Sequence, residues 1–227
     1  VVAAVGVLGE LLITLGVLFL LVVVYDLWWT NLVAAREADA QRAAIVQSWT
    51  GDELPQTGTP QLVEPVLGEP IGLMYIPRLR SKVWGLPVIE GVGRAELARG
   101  IGRIPESAVP GEVGNFAVAG HRATNGEPLR DIDQLRAGDM VYVATEFGWY
   151  SYRLTQTQLV APTQVEVLAP DPFGPPGAVP TQEIITLVTC HPRWGSSERW
   201  IWWGEQTEVR LRSSGPPAEL VAEGVPG

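Results

Sequence analysis

Residues Val1 to Tyr25 are apolar or small except for Glu10 and Thr14. A helix that is apolar all round has no face to show to water, so it must be buried or span a membrane. Twenty-five helical residues reach about 37 Å, enough to cross a hydrocarbon core with tilt. Glu10 is costly at the bilayer centre, and a window from Leu8 to Leu27 moves it to an interface. The same window sets Tyr25, Trp28 and Trp29 at the other interface, where amphipathic rings settle. A cleaved leader has a shorter apolar core and ends at small residues. This run leads instead into Asp26 and the Trp pair, so residues 1–28 are expected to form an uncleaved transmembrane anchor. No base precedes the run, while Arg36 and Arg42 follow it. Flanking charge alone therefore favours a cytoplasmic C-terminal part. A basic segment ahead of Val1 is expected to reverse that bias.

The 227 residues carry 25 acids against 16 bases, a net charge of −9. That balance argues against a nucleic-acid binder, which needs a basic face for phosphates. Cys190 is the single cysteine and His121 and His191 are the two histidines. An intrachain disulfide and a Cys-rich zinc site are thereby excluded, and a His-based metal site would be thin.

Residues 29–65 read as a helical stalk to about Trp49, then a Pro/Gly linker holding Gly51, Pro55, Gly58, Pro60 and Pro65. From Val66 to Arg212 short β-rich runs alternate with turn signals. The expected strands are 71–76, 83–89, 114–119, 140–144, 149–157, 164–168, 183–189, 200–203 and 207–211. Short helices are expected at 94–100 and 132–135. Eight or nine such runs predict a mainly β, closed antiparallel barrel or sandwich. Ala169–Pro180 is a Pro-rich loop, and residues 213–227 are expected to be a disordered tail.

The candidate chemistry centres on Cys190. It ends the strand Glu183-Ile-Ile-Thr-Leu-Val-Thr-Cys190, because Pro192 cannot continue a central strand and restricts His191 as well. An antiparallel return through Ser196-Ser-Glu-Arg-Trp brings Arg199 beside Cys190. A cation there favours the thiolate and offers donors to a developing oxyanion. A thiol nucleophile also needs a proton carrier. His191 is adjacent in sequence, but neighbouring strand side chains point to opposite faces. His121, after the strand Asn115-Phe-Ala-Val-Ala-Gly120, is the preferred candidate.

Ala119-Gly-His-Arg122 and Thr186-Leu-Val-Thr-Cys190, with Arg199 nine residues on, resemble the sortases over roughly Val66–Glu208. His121-Arg-Ala-Thr-Asn-Gly-Glu-Pro-Leu, Leu135-Arg-Ala-Gly-Asp139 and Tyr25-Asp-Leu-Trp-Trp-Thr30 are most similar to class E sortases of high-GC Gram-positive bacteria. The resemblance implies an eight-stranded β-barrel (residues 66–212) with short helices behind the anchor. It further implies a membrane-held cysteine transpeptidase working outside the cell. Cys190 would be the nucleophile, His121 the proton carrier and Arg199 the substrate and oxyanion binder. Substrates would be proteins with a C-terminal Leu-x-x-Thr-Gly-like motif. The acceptor would be an amine of a cell-wall precursor or a pilin. No metal or organic cofactor is implied. Thr189, Arg122 and Trp194 are candidate substrate-groove residues; a plain β-former and a surface partner of Asp131 or Asp133 are the plainer readings of Thr189 and Arg122. The chain departs from the family in Trp200-Ile-Trp-Trp-Gly204, where smaller aliphatics are usual, and in the Trp194–Ser197 loop. Two other readings are a non-enzymatic membrane-tethered β-module with an inert thiol, and a cysteine peptidase that only hydrolyses. A papain-like enzyme has the wrong order, since His121 precedes Cys190.

Leu54-Pro-Gln-Thr-Gly58 has the form of a sorting motif inside the linker. Compositional bias accounts for such a string on its own. The alternative is an intramolecular pseudosubstrate, for which a tether supplies an effective concentration of about millimolar. On that alternative, Thr57→Ala or deletion of residues 50–60 speeds cleavage of an added sorting peptide, and unchanged kinetics exclude it.

Overall fold

A computed structural model describes residues 2–25, 29–49 and 57–225. Asp26, Leu27 and Trp28, and Leu54 to Gln56 of the sorting-like pentapeptide, lie outside the described residues. Helix α1 (Val2–Val24) contains one span, Val5–Val24, that is long and apolar enough to cross a membrane by length and composition. It is not buried against the rest of the described chain.

The described residues form eight strands: β1 (Pro70–Tyr75), β2 (Trp84–Glu90), β3 (Ile101–Arg103), β4 (Gly114–Ala119), β5 (Met140–Ala144), β6 (Gly148–Val160), β7 (Glu183–His191) and β8 (Glu198–Leu211). They close in the order β1-β2-β3-β4-β7-β8-β6-β5. The closed barrel agrees with the sequence reading, but it is not wholly antiparallel: β2–β3 and β4–β7 run parallel. Each parallel pair is made by a crossover, and crossovers are invisible to a count of strands and turns.

Three segments differ from expectation. Residues 164–168 form a 3-10 turn (Val165–Leu168), because Gln164 Oε1 accepts from the Ala161 amide and bends the chain. Residues 200–203 and 207–211 belong to one strand, β8, with Gly204 passing through it. Gly204 sits where an added Cβ would meet the Arg153 carbonyl oxygen at 2.8 Å, so this glycine permits close packing inside the strand. β3 carries no strand signal in the sequence because it is three residues long and ends in a charge. Arg103 is nevertheless 4% exposed, its Nη1 held by both Glu90 carboxylate oxygens at 2.9 and 2.7 Å. A buried charge is tolerated when it is paired in this way.

Alternation along the strands gives the barrel two apolar faces. Phe116, Val118, Ile185, Leu187 and Trp202 fill the interior. Leu73, Tyr75, Tyr142, Ala144 and Trp149 point outward on the β1–β5–β6 side and need a cover. Helix α2 (Thr30–Ser48) and the C-terminal segment supply it. Ile45 of α2 is buried there, with Leu220 of the short helix α3 (Ala218–Ala222) fully enclosed and Val225 beside it. The Arg212 guanidinium lies between the Trp49 and Trp149 rings, 4.6 and 4.8 Å from their centroids. Residues 213–225 are therefore not a disordered tail. Leu220 and Val225 escape the Gly, Pro and acid bias of the segment and dock on an apolar face that would otherwise be wet. Leu220→Ala should lower unfolding stability by about 2–4 kcal/mol, read by urea or thermal denaturation, whereas a fraying tail would leave it unchanged.

Candidate active site

β7 lies between β4 and β8, and this order builds the site. Cys190 pairs directly with Arg199 in the antiparallel β7–β8 register. On the other side the parallel β4–β7 ladder ends with Ala119 opposite Val188. The Gly120 amide still bonds the Val188 carbonyl at 3.0 Å, and the buried Thr189 hydroxyl donates to the Gly120 carbonyl at 2.7 Å. Two residues further along each chain are His121 and Cys190. The cysteine, the histidine and the arginine thus stand abreast at one rim, contributed by three adjacent strands.

Cys190 and Arg199 also share a face. Ile185 and Leu187 point into the barrel, so Ile184, Thr186, Val188 and Cys190 point outward. On β4 the corresponding outward residues are the small Ala117 and Ala119, which leave a shallow trough between the neighbouring strands. Ala119, His121, Val188, Cys190 and Arg199 are all half-buried, so the trough opens to solvent at this end. Toward the start of β4 it is roofed by the β6–β7 loop. Trp203 Nε1 donates to the Val167 carbonyl at 3.2 Å, Asn115 Nδ2 donates to the Ala169 carbonyl at 3.0 Å, and the Phe173 ring meets Trp203 edge-on at 5.6 Å. Beyond Asn115 lies a cavity of about 490 Å3 lined in part by Ile104, Ala108, Glu112 and Leu168.

His121 is half-buried, and its Nε2 is buried without a hydrogen-bond partner among the described residues. Burial, reinforced by the Arg94 guanidinium, holds its pKa below the ordinary 6.5. The neutral form of the imidazole is accordingly favoured. The Arg199 guanidinium donates from Nη1 to the carbonyls of Ser196 and Glu198, at 2.9 and 3.0 Å, so it is steadied by its own hairpin.

The other sequence-stated residues divide by face. His191 belongs to the opposite face, as alternation predicts. Its ring packs edge-on against Trp200 at 5.2 Å, and its Nδ1 lies 2.8 Å from Arg122 Nη1. Arg122 is 7% exposed, stacks over Trp200 at 4.9 Å and pairs with Asp133 at 3.2 Å. The structure therefore does not bring Arg122 to the cysteine; one of its anticipated surface partners, Asp133, is the one it holds. Thr189 is committed to the Gly120 carbonyl. Trp194 is 66% exposed on the β7–β8 loop, with Arg193 over its ring at 4.8 Å. The unusual tryptophans of β8 also separate by alternation. Trp202 fills the interior, Trp200 caps it with Arg122 and His191, and Trp203 pins the roof loop. Sequence reasoning missed Glu127, a buried carboxylate shared by Arg130 and Arg193. Its signal was a lone acid in the segment after His121, which spacing could not connect to the residues after Cys190.

The family model for the sortase domain matches residues 74–207. The chain belongs to the sortase family. It is 37% identical to Sortase SrtE1 of Streptomyces coelicolor over 95% of this chain, and 35% identical to Sortase SrtE2 of the same organism over 96%. It spans 60% of the length of the first relative and 88% of the second. Among solved structures it is similar to sortase E from Streptomyces avermitilis, with a TM-score of 0.60 and 38% identity over 68% of this chain and 99% of that one. The SrtA sortase from Actinomyces oris matches with a TM-score of 0.66 and 37% identity, over 73% and 95% of the two chains. Sortase E1 from Streptomyces coelicolor, solved with a tripeptide in the active site, matches at 0.61 and 33%, over 69% and 99%.

The lowered pKa of His121 has a consequence for stability. As the pH falls below 6.5, the unfolded sortase chain takes up a proton here before the native one does, so native stability drops. The loss stops once the pH is below the native value too. His121→Asn should therefore show a shallower fall in melting temperature between pH 7.5 and pH 5 than the parent, measured by thermal unfolding at each pH.

Proposed function

We propose that this sortase-family chain is a membrane-anchored cysteine transpeptidase that cleaves a Leu-x-x-Thr-Gly-like motif between Thr and Gly. The observation that supports the reading is the pairing of Cys190 with Arg199 at the rim where the parallel β4–β7 ladder ends, two residues before His121. The Cys190 thiol passes its proton to His121 as the sulfur attacks the Thr carbonyl, forming a tetrahedral oxyanion to which Arg199 donates. Collapse breaks the Thr–Gly bond and leaves a thioester on Cys190. His121 gives the departing Gly amine its proton. An amine of a cell-wall precursor or a pilin then attacks the thioester, His121 takes the amine's proton and passes it to the departing sulfur, and the thiol is regenerated. Splitting one amide exchange into two acyl transfers replaces one high barrier by two lower ones.

The trough supports an extended peptide. Five extended residues span about 17 Å, and a motif with its Thr at Cys190 would run along Val188 and Ala119 toward the roofed end. Thr189 acts by fixing the Gly120 carbonyl, and so the turn into His121. Trp194 is available to the substrate from the β7–β8 loop. Arg122 supports the rim from the far face. In this reading the barrel lies outside the cell with α1 as a single-pass anchor, and Leu54–Gly58 is offered to the trough as a tethered pseudosubstrate.

The test is incubation with Leu-Ala-x-Thr-Gly and Leu-Pro-x-Thr-Gly peptides plus an amine, with products identified by mass. A thioester on Cys190 and an amide product are expected with the parent chain, and neither with Cys190→Ala. His121→Ala should lower turnover about 100-fold or more, and Arg199→Lys about 100-fold. Cleavage in His121→Ala at the parent rate, or free acid as the sole product at high amine, would sink the transpeptidase reading.

A further inference from the structure

The ladder that sets His121 beside Cys190 ends at Ala119 and Val188, two residues before either of them. Past that point the two chains separate, one into the loop 121–129 and the other through Pro192 into the β7–β8 loop. Something else must hold the two loop starts in register.

Glu127 is placed to do so. The loop that carries His121 closes on itself, with the Leu129 amide bonding the His121 carbonyl at 3.1 Å. At its tip Asn125, Gly126 and Glu127 have φ values of 50°, 81° and 51°. A positive φ is uncommon for Asn and more so for Glu, so the surroundings must hold this conformation in place. The Glu127 carboxylate is what they hold. The residue is 4% exposed, and its Oε2 lies 3.2 Å from Arg193 Nη2, 3.3 Å from Arg130 Nη1 and 4.0 Å from Lys82 Nζ. Lys82 also reaches the Gly126 carbonyl at 3.5 Å. Arg193 is three residues after Cys190. One buried carboxylate therefore joins the loop after His121, the loop after Cys190 and the β1–β2 turn.

We propose that Glu127 is a positioning residue that fixes the separation of His121 and Cys190 by clamping Arg193. Without its charge, Arg193 and Lys82 would lose the carboxylate that draws them together, and Arg130 would keep Asp131 at 3.6 Å. The β7–β8 loop would swing out and carry the rim of β7 with it. The distance between sulfur and imidazole, and not peptide binding along the trough, is what would suffer. A misplacement of about 1 Å in such a pair costs about 100-fold in rate.

The inference rests on the transpeptidase reading, and the experiment separates the two. Steady-state kinetics with a sorting peptide are measured on the full chain for Glu127→Gln, Arg193→Gln, the double variant and Arg193→Lys. Thermal unfolding identifies any variant that fails to fold. If Glu127→Gln does not fold, Arg193→Gln, on a half-exposed loop, decides alone. The expected result is a kcat lowered about 10- to 100-fold in each single variant with KM within about twofold, a double variant no worse than the weaker single, and partial recovery in Arg193→Lys relative to Arg193→Gln. Amide exchange is measured in parallel, and Arg193→Gln should speed exchange in residues 121–130 across the gap as well as in its own loop. Parent-like kcat in both single variants, multiplicative losses in the double, or exchange changes confined to residues 192–195 would overturn the proposal. If the parent chain itself forms no thioester, the transpeptidase reading fails, and the exchange measurement still decides whether Glu127 couples the two loops.

Discussion

The parallel ladder between β4 and β7 is the constraint on which the site depends. It is the only arrangement in which two strand ends, far apart in sequence, finish together at the same rim with the same face outward. An antiparallel pair would put the end of one strand beside the start of the other, and His121 would lie at the opposite end of the barrel from Cys190. The antiparallel return of β8 then delivers Arg199 to the cysteine from the other side. The three groups need no long loop to find each other, because hydrogen-bond register brings the strand ends that carry them together.

That ladder is buried on its inner face and shaped on its outer one. Phe116, Val118, Ile185 and Leu187 pack inside the barrel and keep the strands from slipping, since a one-residue slip would turn each of them out to solvent. Outside, Ala117 and Ala119 leave room that larger side chains would fill. Thr186 Oγ1 donates to Asn115 Oδ1 at 2.6 Å, and Asn115 in turn holds the roof loop through Ala169. The polar groups of the trough are thus spent on building its walls near β4's start and left open near Cys190.

The rest of the chain covers what the barrel leaves exposed. The β1–β5–β6 side presents Leu73, Tyr75, Tyr142 and Trp149 outward, and α2 with the C-terminal segment lies across them. The stalk helix is therefore part of the folded body as well as a link to α1. Gly126 faces it: a Cβ added there would meet the Ala34 side chain at 3.7 Å. The helix that follows the apolar span is in this way a neighbour of the loop that carries His121.

Local sequence determined much of this. The apolar run of α1, the β4 and β5 strands to the residue, the end of β7 at Pro192 and the pairing of Cys190 with Arg199 all follow from hydrophobic period, turn residues and a short hairpin. Those are local effects, and so they are written locally. Alternation alone already separated His191 from Cys190. The tertiary structure decided the rest. It set the parallel partner of β7, made residues 164–168 a turn and residues 200–211 a single strand, and found room for a charged β3. It also docked residues 213–225 by way of Leu220, and gathered Arg193, Arg130 and Lys82 around the buried Glu127 carboxylate. Each of these depends on a contact between segments far apart in the chain, whose energy comes from burial that no window of neighbouring residues contains.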